Sequence, residues 1–204
     1  MSLHKGLLIV LEGIDGSGKS TQAELLLEYL RRRGLDALSF REPSAGRWGK
    51  EIKRKARRPD SLTPEQELDL FLKDRKENVR RNLEPALRRR KVVVLDRYFY
   101  STIAYQGAKG IDRQRIRELH KPFVIEPDLV FILDLVARKG LARIKNRPDK
   151  DRLFEREEYL VKVRKIFRSL KGKNIVHVDA SAPPDQIARK IAARVSRCIK
   201  KYTT

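Results

Sequence analysis

Five short runs of mostly apolar residues are spaced along the chain, with longer stretches of helical periodicity between them. The first and third runs contain no polar residue, which is typical of strands that a parallel sheet buries on both faces. Because strands alternate with helices, the pattern predicts a doubly wound α/β fold with helices on both sides of a parallel sheet. The runs span residues 7–11, 37–40, 92–95, 129–133 and 175–178.

The stretches between the runs carry apolar residues at helical spacing and ordinary start and stop signals. Thr63 precedes Pro64, and Gln66 follows three residues after Thr63, so a capped helix start is predicted there. Pro85 is expected to kink that helix or split it. A polar, basic loop is predicted over 146–152. The predicted helices cover residues 21–30, 50–57, 64–83, 101–106, 112–120, 137–145, 154–170 and 183–200.

A glycine-rich segment follows the first run directly. Residues 13–20 read Gly-Ile-Asp-Gly-Ser-Gly-Lys-Ser and fit the pattern G-x-x-x-x-G-K-[ST]. The strand before it and the amphipathic helix after it are the context in which this pattern forms a phosphate-binding loop. We therefore predict the three-layer P-loop NTPase fold, with a five-stranded parallel sheet flanked by helices.

The chemistry of such a loop assigns a first set of candidate residues. Glycines allow consecutive backbone N–H groups to converge on phosphate oxygens, and the helix N-terminus adds partial positive charge. Lys19 is expected to reach the β- and γ-phosphates of a nucleoside triphosphate, and the Ser20 hydroxyl to hold Mg²⁺. The candidate triphosphate-binding residues of the loop are Gly13, Ile14, Asp15, Gly16, Ser17, Gly18, Lys19, Ser20 and Thr21.

The ends of the other runs narrow the class of enzyme. The Asn-Lys-x-Asp sequence with which GTPases read guanine is absent, and no apolar run ends in the Asp-Glu pair of motor ATPases and helicases. The run at 92–95 instead ends in Asp96-Arg97. Ligands of open α/β sheets bind at the carboxyl ends of the strands. A guanidinium at that edge suits a second phosphorylated substrate that faces the first.

The chain length and the cysteine content limit the expected number of domains and the expected cellular compartment. The 204 residues suffice for one α/β domain, which we expect to span 1–204. No apolar run approaches the roughly 20 residues of a membrane span, and the first strand begins so early that no signal peptide is expected. The single cysteine, Cys198, excludes an intrachain disulfide and suits the cytoplasm.

The net charge of +21 has three interpretations. It could reflect nucleic-acid binding, the highly charged surface of a protein from a hot environment, or an enzyme that handles polyanionic nucleotides. The basic residues are spread along the chain and form no single tail or arm, so nucleic acid is not the favoured partner. We prefer the second and third interpretations together.

Several motifs make the chain resemble the thymidylate kinases over about residues 6–192. The most specific is the family signature Asp-Arg-Tyr-x-x-Ser-x-x-Ala-Tyr-Gln, which stands here at 96–106. Four shorter family patterns accompany it. They are the loop Glu-Gly-x-Asp-Gly-x-Gly-Lys at 12–19, Arg-Glu-Pro at 41–43, Pro-Asp-Leu at 127–129, and the lid pattern Gly-Leu-x-Arg at 140–143 with Arg147 and 151–152.

The resemblance implies transfer of the ATP γ-phosphate to dTMP, with Mg²⁺, in a homodimeric enzyme. It implies that Arg97 binds the acceptor phosphate and that Asp15 lies near the sugar and helps to hold the metal, directly or through water. Phe71 would stack on thymine, Arg75 would bind a base carbonyl, and Tyr105 would exclude a 2′-hydroxyl. The implied dTMP site comprises Asp15, Arg41, Pro43, Phe71, Arg75, Asp96, Arg97, Ser101, Tyr105 and Gln106.

The resemblance also implies a mobile lid at about 138–153. The phosphate loop has no arginine at its variable positions, so the catalytic arginine is expected in the lid. Arg147 is the first candidate, with Arg143 and Arg152 as alternatives, and Arg143 and Arg147 are expected to contact ATP. With them, the expected catalytic set is Asp15, Lys19, Arg97, Arg147 and Arg143.

Two departures from the family pattern leave the acceptor open. Residues 44–49 replace the usual glycines and threonine, where Arg47 is a candidate phosphate contact and Trp48 a candidate pocket residue, and 148–150 replace a Gly-Glu-hydrophobic triplet. A kinase of the same fold with another nucleotide or deoxynucleoside acceptor is therefore one alternative. A nucleic-acid-binding P-loop protein and a catalytically silent scaffold are the others.

Overall fold

All five apolar runs form strands of one parallel sheet. A computed structural model describes residues 3–57, 62–144 and 150–202, with side chains in the last range from residue 156. The strand order is β2-β3-β1-β4-β5, and every neighbouring pair is parallel. The strands are β1 Leu7–Glu12, β2 Ala37–Arg41, β3 Val92–Asp96, β4 Leu129–Asp134 and β5 Ile175–Asp179.

Each strand runs one residue further than its apolar run predicts, and in every case that residue is charged. The five added residues are Glu12, Arg41, Asp96, Asp134 and Asp179. In a parallel sheet these carboxyl ends meet at one edge. The edge where ligands are expected is therefore lined with charge.

Helices flank the sheet, and they confirm the predicted α/β fold. Helix α1 contacts β1, β2, β3 and α9, whereas α5 packs on α3, α6 and α8. The helices are α1 Lys19–Arg32, α2 Arg47–Lys55, α3 Pro64–Asn78, α4 Glu84–Arg88, α5 Phe99–Ala108, α6 Arg113–His120, α7 Ala137–Arg143, α8 Lys150–Ser169 and α9 Pro184–Ile199.

The predicted start of α3 is confirmed. Gln66 N–H donates to Thr63 Oγ1 at 3.2 Å, and Thr63 N–H donates to Gln66 Oε1 at 3.0 Å, which makes a complete capping box. The helix is split, as one of the two alternatives for Pro85 predicted, but the break lies just before the proline. A π-helical turn, Val79–Leu83, links α3 to α4, and Pro85 lies in the first turn of α4, where its missing N–H is tolerated.

Two helices are longer than predicted. Helix α5 spans Phe99–Ala108 where 101–106 was predicted, and α8 begins at Lys150, so the loop prediction is wrong at 150–152. Lysine and arginine favour helices nearly as well as leucine, so polarity alone is a poor signal of a loop. The predicted loop residues 146–149 lie outside the described residues.

The core is centred on β1 and β3, whose residues are all buried. Leu30, Leu83, Phe131 and Phe167 pack around them from the helices and from β4. Within the described ranges, no helix is long and apolar enough to cross a membrane.

Candidate active site

The loop between β1 and α1 folds tightly against α7. Gly16 has φ 76°, and a Cβ atom built on it would lie 2.1 Å from the carbonyl oxygen of Gly140 in α7. Both the left-handed backbone and the close approach therefore require glycine at position 16. Gly18, with φ 92°, is the N-cap of α1, so the N-terminus of that helix opens onto the loop.

Lys19 lies inside this loop and is only 5% exposed. Its Nζ donates to the Ile14 carbonyl at 2.8 Å and is 3.5 Å from Ser17 Oγ. Burial, and after it the Arg97 cation, lower the pKa of Lys19 to about 7 against the opposing pull of nearby carboxylates. An anionic ligand in the loop would restore the charge of this lysine.

Ser20 and Asp96 form a pair between the loop and the sheet edge. Ser20 Oγ donates to Asp96 Oδ2 at 2.6 Å. Asp96 is buried, and its Oδ1 has no hydrogen-bond partner in the described part of the chain. No group of three metal-ligating His, Cys, Asp or Glu residues occurs among the described residues. The pair therefore fits Mg²⁺, which commonly takes one or two protein oxygens and completes its shell with phosphate and water.

Arg97 follows β3 and pairs with Asp15 of the loop. Its φ is 73°, which is uncommon for a residue with a side chain. Arg97 Nη2 donates to Asp15 Oδ1, and Nη1 donates to Ser101 Oγ at 3.3 Å. Burial disfavours the charge of Asp15, but the cations of Arg97 and Lys19 outweigh it and lower the pKa of the carboxyl. The pair joins the phosphate loop to the neighbouring cavity.

Tyr105 closes this contact from α5. Its hydroxyl accepts from the Asp15 N–H at 3.1 Å, and the Arg97 guanidinium lies 5.2 Å from the centre of its ring. The hydroxyl of Tyr159, from α8, donates to the Tyr105 carbonyl at 2.9 Å. The ring is therefore held between the phosphate loop and α8.

Glu12, the last residue of β1, fixes the backbone that carries Arg97. It is fully buried, and its Oε1 accepts from the N–H groups of Tyr98 at 2.7 Å and Ser101 at 3.1 Å. Its Oε2 accepts from Ser101 Oγ at 2.5 Å. Burial raises the pKa of Glu12 to about 7. Only its place at the end of the first run, just before the loop, hinted at this role.

A cavity of about 470 Å³ adjoins the loop, a size suited to a nucleotide-like ligand. It gathers every residue predicted for dTMP except Asp96, which lies beside Ser20 instead. From that prediction the lining contains Asp15, Arg41, Pro43, Phe71, Arg75, Arg97, Ser101, Tyr105 and Gln106. Sequence reasoning did not assign Glu42, Ile52, Lys53, Ala56, Glu67, Thr102 and Tyr159, which complete it.

Three polar side chains of the lining differ in whether their hydrogen-bonding groups already have partners within the protein. Arg75 is 2% exposed and pairs with Glu42 at 2.7 Å. Gln106 Nε2 donates to Glu67 Oε2 at 2.8 Å, whereas its Oε1 is buried and finds no partner among the described residues. Such an orphaned acceptor in a cavity wall suits a ligand N–H. Arg41, by contrast, is 64% exposed and approaches Asp96 at 3.7 Å.

The unusual segment 44–49 folds onto α3. Asp74 Oδ2 accepts from Ser44 N–H at 2.8 Å, and Asp74 Oδ1 accepts from Ser44 Oγ at 2.5 Å. Trp48 lies against two cations, with Arg47 at 4.8 Å and Lys73 at 5.1 Å from its ring centre. Neither Arg47 nor Trp48 is among the described residues that line the cavity. The described cavity lining therefore gives no support to Arg47 as a candidate phosphate contact.

Of the three arginines predicted for a lid, Arg143 is the one whose side chain the structure describes. It extends from α7 over the loop, and its Nη1 donates to the carbonyls of Gly16 and Ala180, both at 3.4 Å. Arg147 and Arg152 lie outside the residues whose side chains the structure describes.

Comparison with known proteins decides the family. The family model described as thymidylate kinase matches residues 11–191. The chain belongs to the thymidylate kinase family.

Relatives named as thymidylate kinases are similar to it over nearly their whole length. One from Brachyspira hyodysenteriae is 46% identical over 92% of each chain. One from Desulfotalea psychrophila is 40% identical over 98% of this chain and 99% of its own. A probable thymidylate kinase from Archaeoglobus fulgidus is 42% identical over 91% of this chain and 92% of its own. The resemblance drawn from the signature at 96–106 is thereby confirmed.

Proposed function

We propose that the chain transfers the γ-phosphate of ATP to dTMP and forms dTDP. Family membership supports this activity, and the Asp15–Arg97 pair is the observation that carries it. That pair stands where the phosphate loop meets the cavity. A donor held by the loop and an acceptor held in the cavity would therefore present their phosphates to one another.

The residues divide the work of phosphoryl transfer, which depends mainly on position and charge. The loop amides and Lys19 would hold the donor phosphates. Ser20 and Asp96, with Asp15 directly or through water, would hold Mg²⁺, which when bound neutralises phosphate charge. Arg97 would bind the acceptor phosphate and draw its oxygen into line.

The cavity wall supports a pyrimidine with a C4 carbonyl and an N3 proton. Phe71 is half-buried in the lining and offers a face for stacking. Arg75 can donate to a carbonyl oxygen, and the orphaned Gln106 Oε1 can accept from N3–H. Cytosine reverses both groups, because it has an amine at C4 and no proton at N3.

The direct test is an ADP-release assay with Mg²⁺-ATP against dTMP, dUMP, dCMP, dGMP, UMP and thymidine. The proposal requires dTMP to give the highest kcat/KM. A clear preference for another acceptor would keep the phosphoryl-transfer machinery and change the substrate. No stimulation by any acceptor would instead favour the scaffold or nucleic-acid alternatives.

We further propose one domain over 1–204, with a lid at about 138–153 that closes over ATP and excludes water. The contact of Gly140 with the loop and the reach of Arg143 over it support this assignment. We also propose a cytoplasmic homodimer. The single cysteine suits a reducing compartment, and light scattering would test the oligomeric state.

Tyr105→Ala is expected to relax the discrimination between deoxyribo- and ribonucleotide acceptors by about tenfold or more. The ring lies beside Asp15 and Arg97, where the sugar of a bound nucleotide would pass. The measurement is the ratio of kcat/KM for dUMP and UMP. Tyr105→Phe is the control, because it keeps the ring and should keep the ratio. An unchanged ratio in Tyr105→Ala would exclude the steric explanation.

Arg147→Ala is expected to lower kcat about a hundredfold with little change in the KM for dTMP. Such an arginine would stabilise charge that develops only in the transition state. Single-turnover rates of Arg147→Ala, Arg143→Ala and Arg152→Ala would rank the three candidates. If kcat survives in Arg147→Ala and falls in one of the others, the catalytic role belongs to that arginine.

A further inference from the structure

Four structural elements converge on one buried guanidinium. Arg75 projects from α3, and its partners come from the segment after β2, from α5 and from the last residue of α6. Those partners are Glu42, Thr102 and His120. All four side chains are at most 3% exposed. The mechanism outlined above uses Arg75 for the base but gives His120 no role.

Most N–H donors of the Arg75 guanidinium have an acceptor within the described part of the chain. Nε–H donates to Glu42 Oε2 at 2.7 Å, and Nη2 lies 2.7 Å from the same oxygen. Nη1 has two protons and two acceptors, with Thr102 Oγ1 at 2.8 Å and His120 Nε2 at 2.5 Å. A guanidinium has five N–H donors. Within the described part of the chain, this leaves one Nη2 proton for a ligand in the cavity.

The histidine can serve Arg75 in only one tautomer. Arginine is a donor only, so Nε2 of His120 must be the acceptor. The carbonyl of Ile116, 2.7 Å from Nδ1, is an acceptor only, so Nδ1 must carry the proton. The ring is therefore neutral. Burial and then the Arg75 cation lower the pKa of His120 to about 3, so it stays neutral throughout the working range of pH.

We propose that His120 is a positioning residue for acceptor recognition, which acts by fixing the rotation of the Arg75 guanidinium. It is not among the described residues that line the cavity. By occupying one Nη1 proton it directs the remaining Nη2 proton to the cavity. This inference rests on the proposed function, because the ligand group that Nη2–H would meet is the C4 carbonyl of the acceptor base.

Loss of the acceptor nitrogen has a specific consequence. An Nη1–H would remain buried without a partner, and a buried unpaired donor costs more than the bond itself contributes. The guanidinium would turn or tilt to recover a partner, and the Nη2 donor would leave its place. Base recognition would suffer, whereas the phosphate loop, which His120 does not touch, would not.

The test compares His120→Leu with His120→Gln in the full chain. Leucine removes the acceptor, whereas the glutamine Oε1 can occupy the place of Nε2. In His120→Leu we expect the KM for dTMP to rise about tenfold or more, the preference for dTMP over dCMP to fall, and both kcat and the KM for ATP to stay within about twofold. His120→Gln should restore most of the loss.

Thr102→Val provides a second route to the same result if His120→Leu does not fold. It removes the other Nη1 acceptor at nearly constant volume and should also raise the KM for dTMP selectively. Unchanged dTMP kinetics in His120→Leu, or an equal loss for dTMP and ATP, would overturn the proposal. So would failure of glutamine to restore the KM. Wild-type turnover of dTMP, measured first, tests the proposed function separately.

Discussion

Lys19→Met is expected to lower kcat by about a thousandfold while leaving the fold intact. Methionine keeps much of the length and packing of the side chain but removes the cation that would face the donor phosphates. A cation placed where transferred charge is shared contributes most in a site that excludes water. The near-complete burial of Lys19 meets that condition.

Single-turnover phosphoryl transfer and circular dichroism of the same preparation would check this expectation. Lys165→Met, an exposed lysine of α8, is the matched control and should be indistinguishable from the wild type. A Lys19→Met variant with near-normal turnover would refute the assignment of the donor site.

The protonation of Lys19 gives the same prediction a second readout. In the ligand-free chain its pKa is about 7, so at pH 8 the side chain is mostly neutral. Bound phosphate would favour the charged form and raise the pKa. ATP binding at pH 8 should therefore take up nearly one proton in the wild type and none through this residue in Lys19→Met. Calorimetry in buffers of different ionisation enthalpy measures that difference.

The same pKa also gives a sign for stability. An unfolded lysine titrates near 10.5, well above the folded value, so the unfolded chain holds the extra proton between about pH 7 and 10.5. The contribution of Lys19 to stability is lowest below that window and improves as the pH rises through it. Lys19→Met should lack this component.

The fold was predictable because its signals are local. An apolar run reports burial on both faces, and a glycine loop between a strand and a helix reports the phosphate site. The strand ends were missed by one residue each because charged residues such as Glu12 and Asp96 were taken to end the sheet. These charged residues continue the strands because this edge of the sheet faces a ligand site, where buried charges support ligand binding.

The polar support of the site was not predictable in the same way. The neighbouring sequence does not show whether a glutamate is buried or exposed. Glu12 and Glu42 were therefore treated only as parts of motifs and were assigned no role of their own. His120 ends a helix of mostly polar and charged residues, a composition typical of a solvated surface. Its burial depends on α3 and α5 packing over it, and that is a property of the tertiary structure.

Arg97→Ala is expected to lower kcat/KM for dTMP by about a thousandfold, with a higher KM for dTMP, a lower kcat, and a KM for ATP close to normal. Arg97→Lys should lie between this variant and the wild type, because lysine keeps the charge but loses the planar fork that binds two phosphate oxygens. Arg88→Ala, an exposed arginine of α4, is the control and should change none of these values.

Neighbouring groups hold the Arg97 side chain and backbone in place. The loss of activity in Arg97→Ala should therefore exceed the loss caused by removing an ordinary surface cation. Glu12 grips the N–H groups of Tyr98 and Ser101 and so fixes the left-handed backbone at Arg97. Removal of the Arg97 side chain also leaves Asp15 without its nearest cation, so the pKa of that carboxyl should rise and the acid limb of the pH–rate profile should move to higher pH.

If Arg97→Ala instead raised the KM for ATP and left the KM for dTMP unchanged, Arg97 would belong to the donor site. The acceptor phosphate would then require another cation of the cavity lining, and besides Arg75, which is paired with Glu42, these are Lys53 and Arg41.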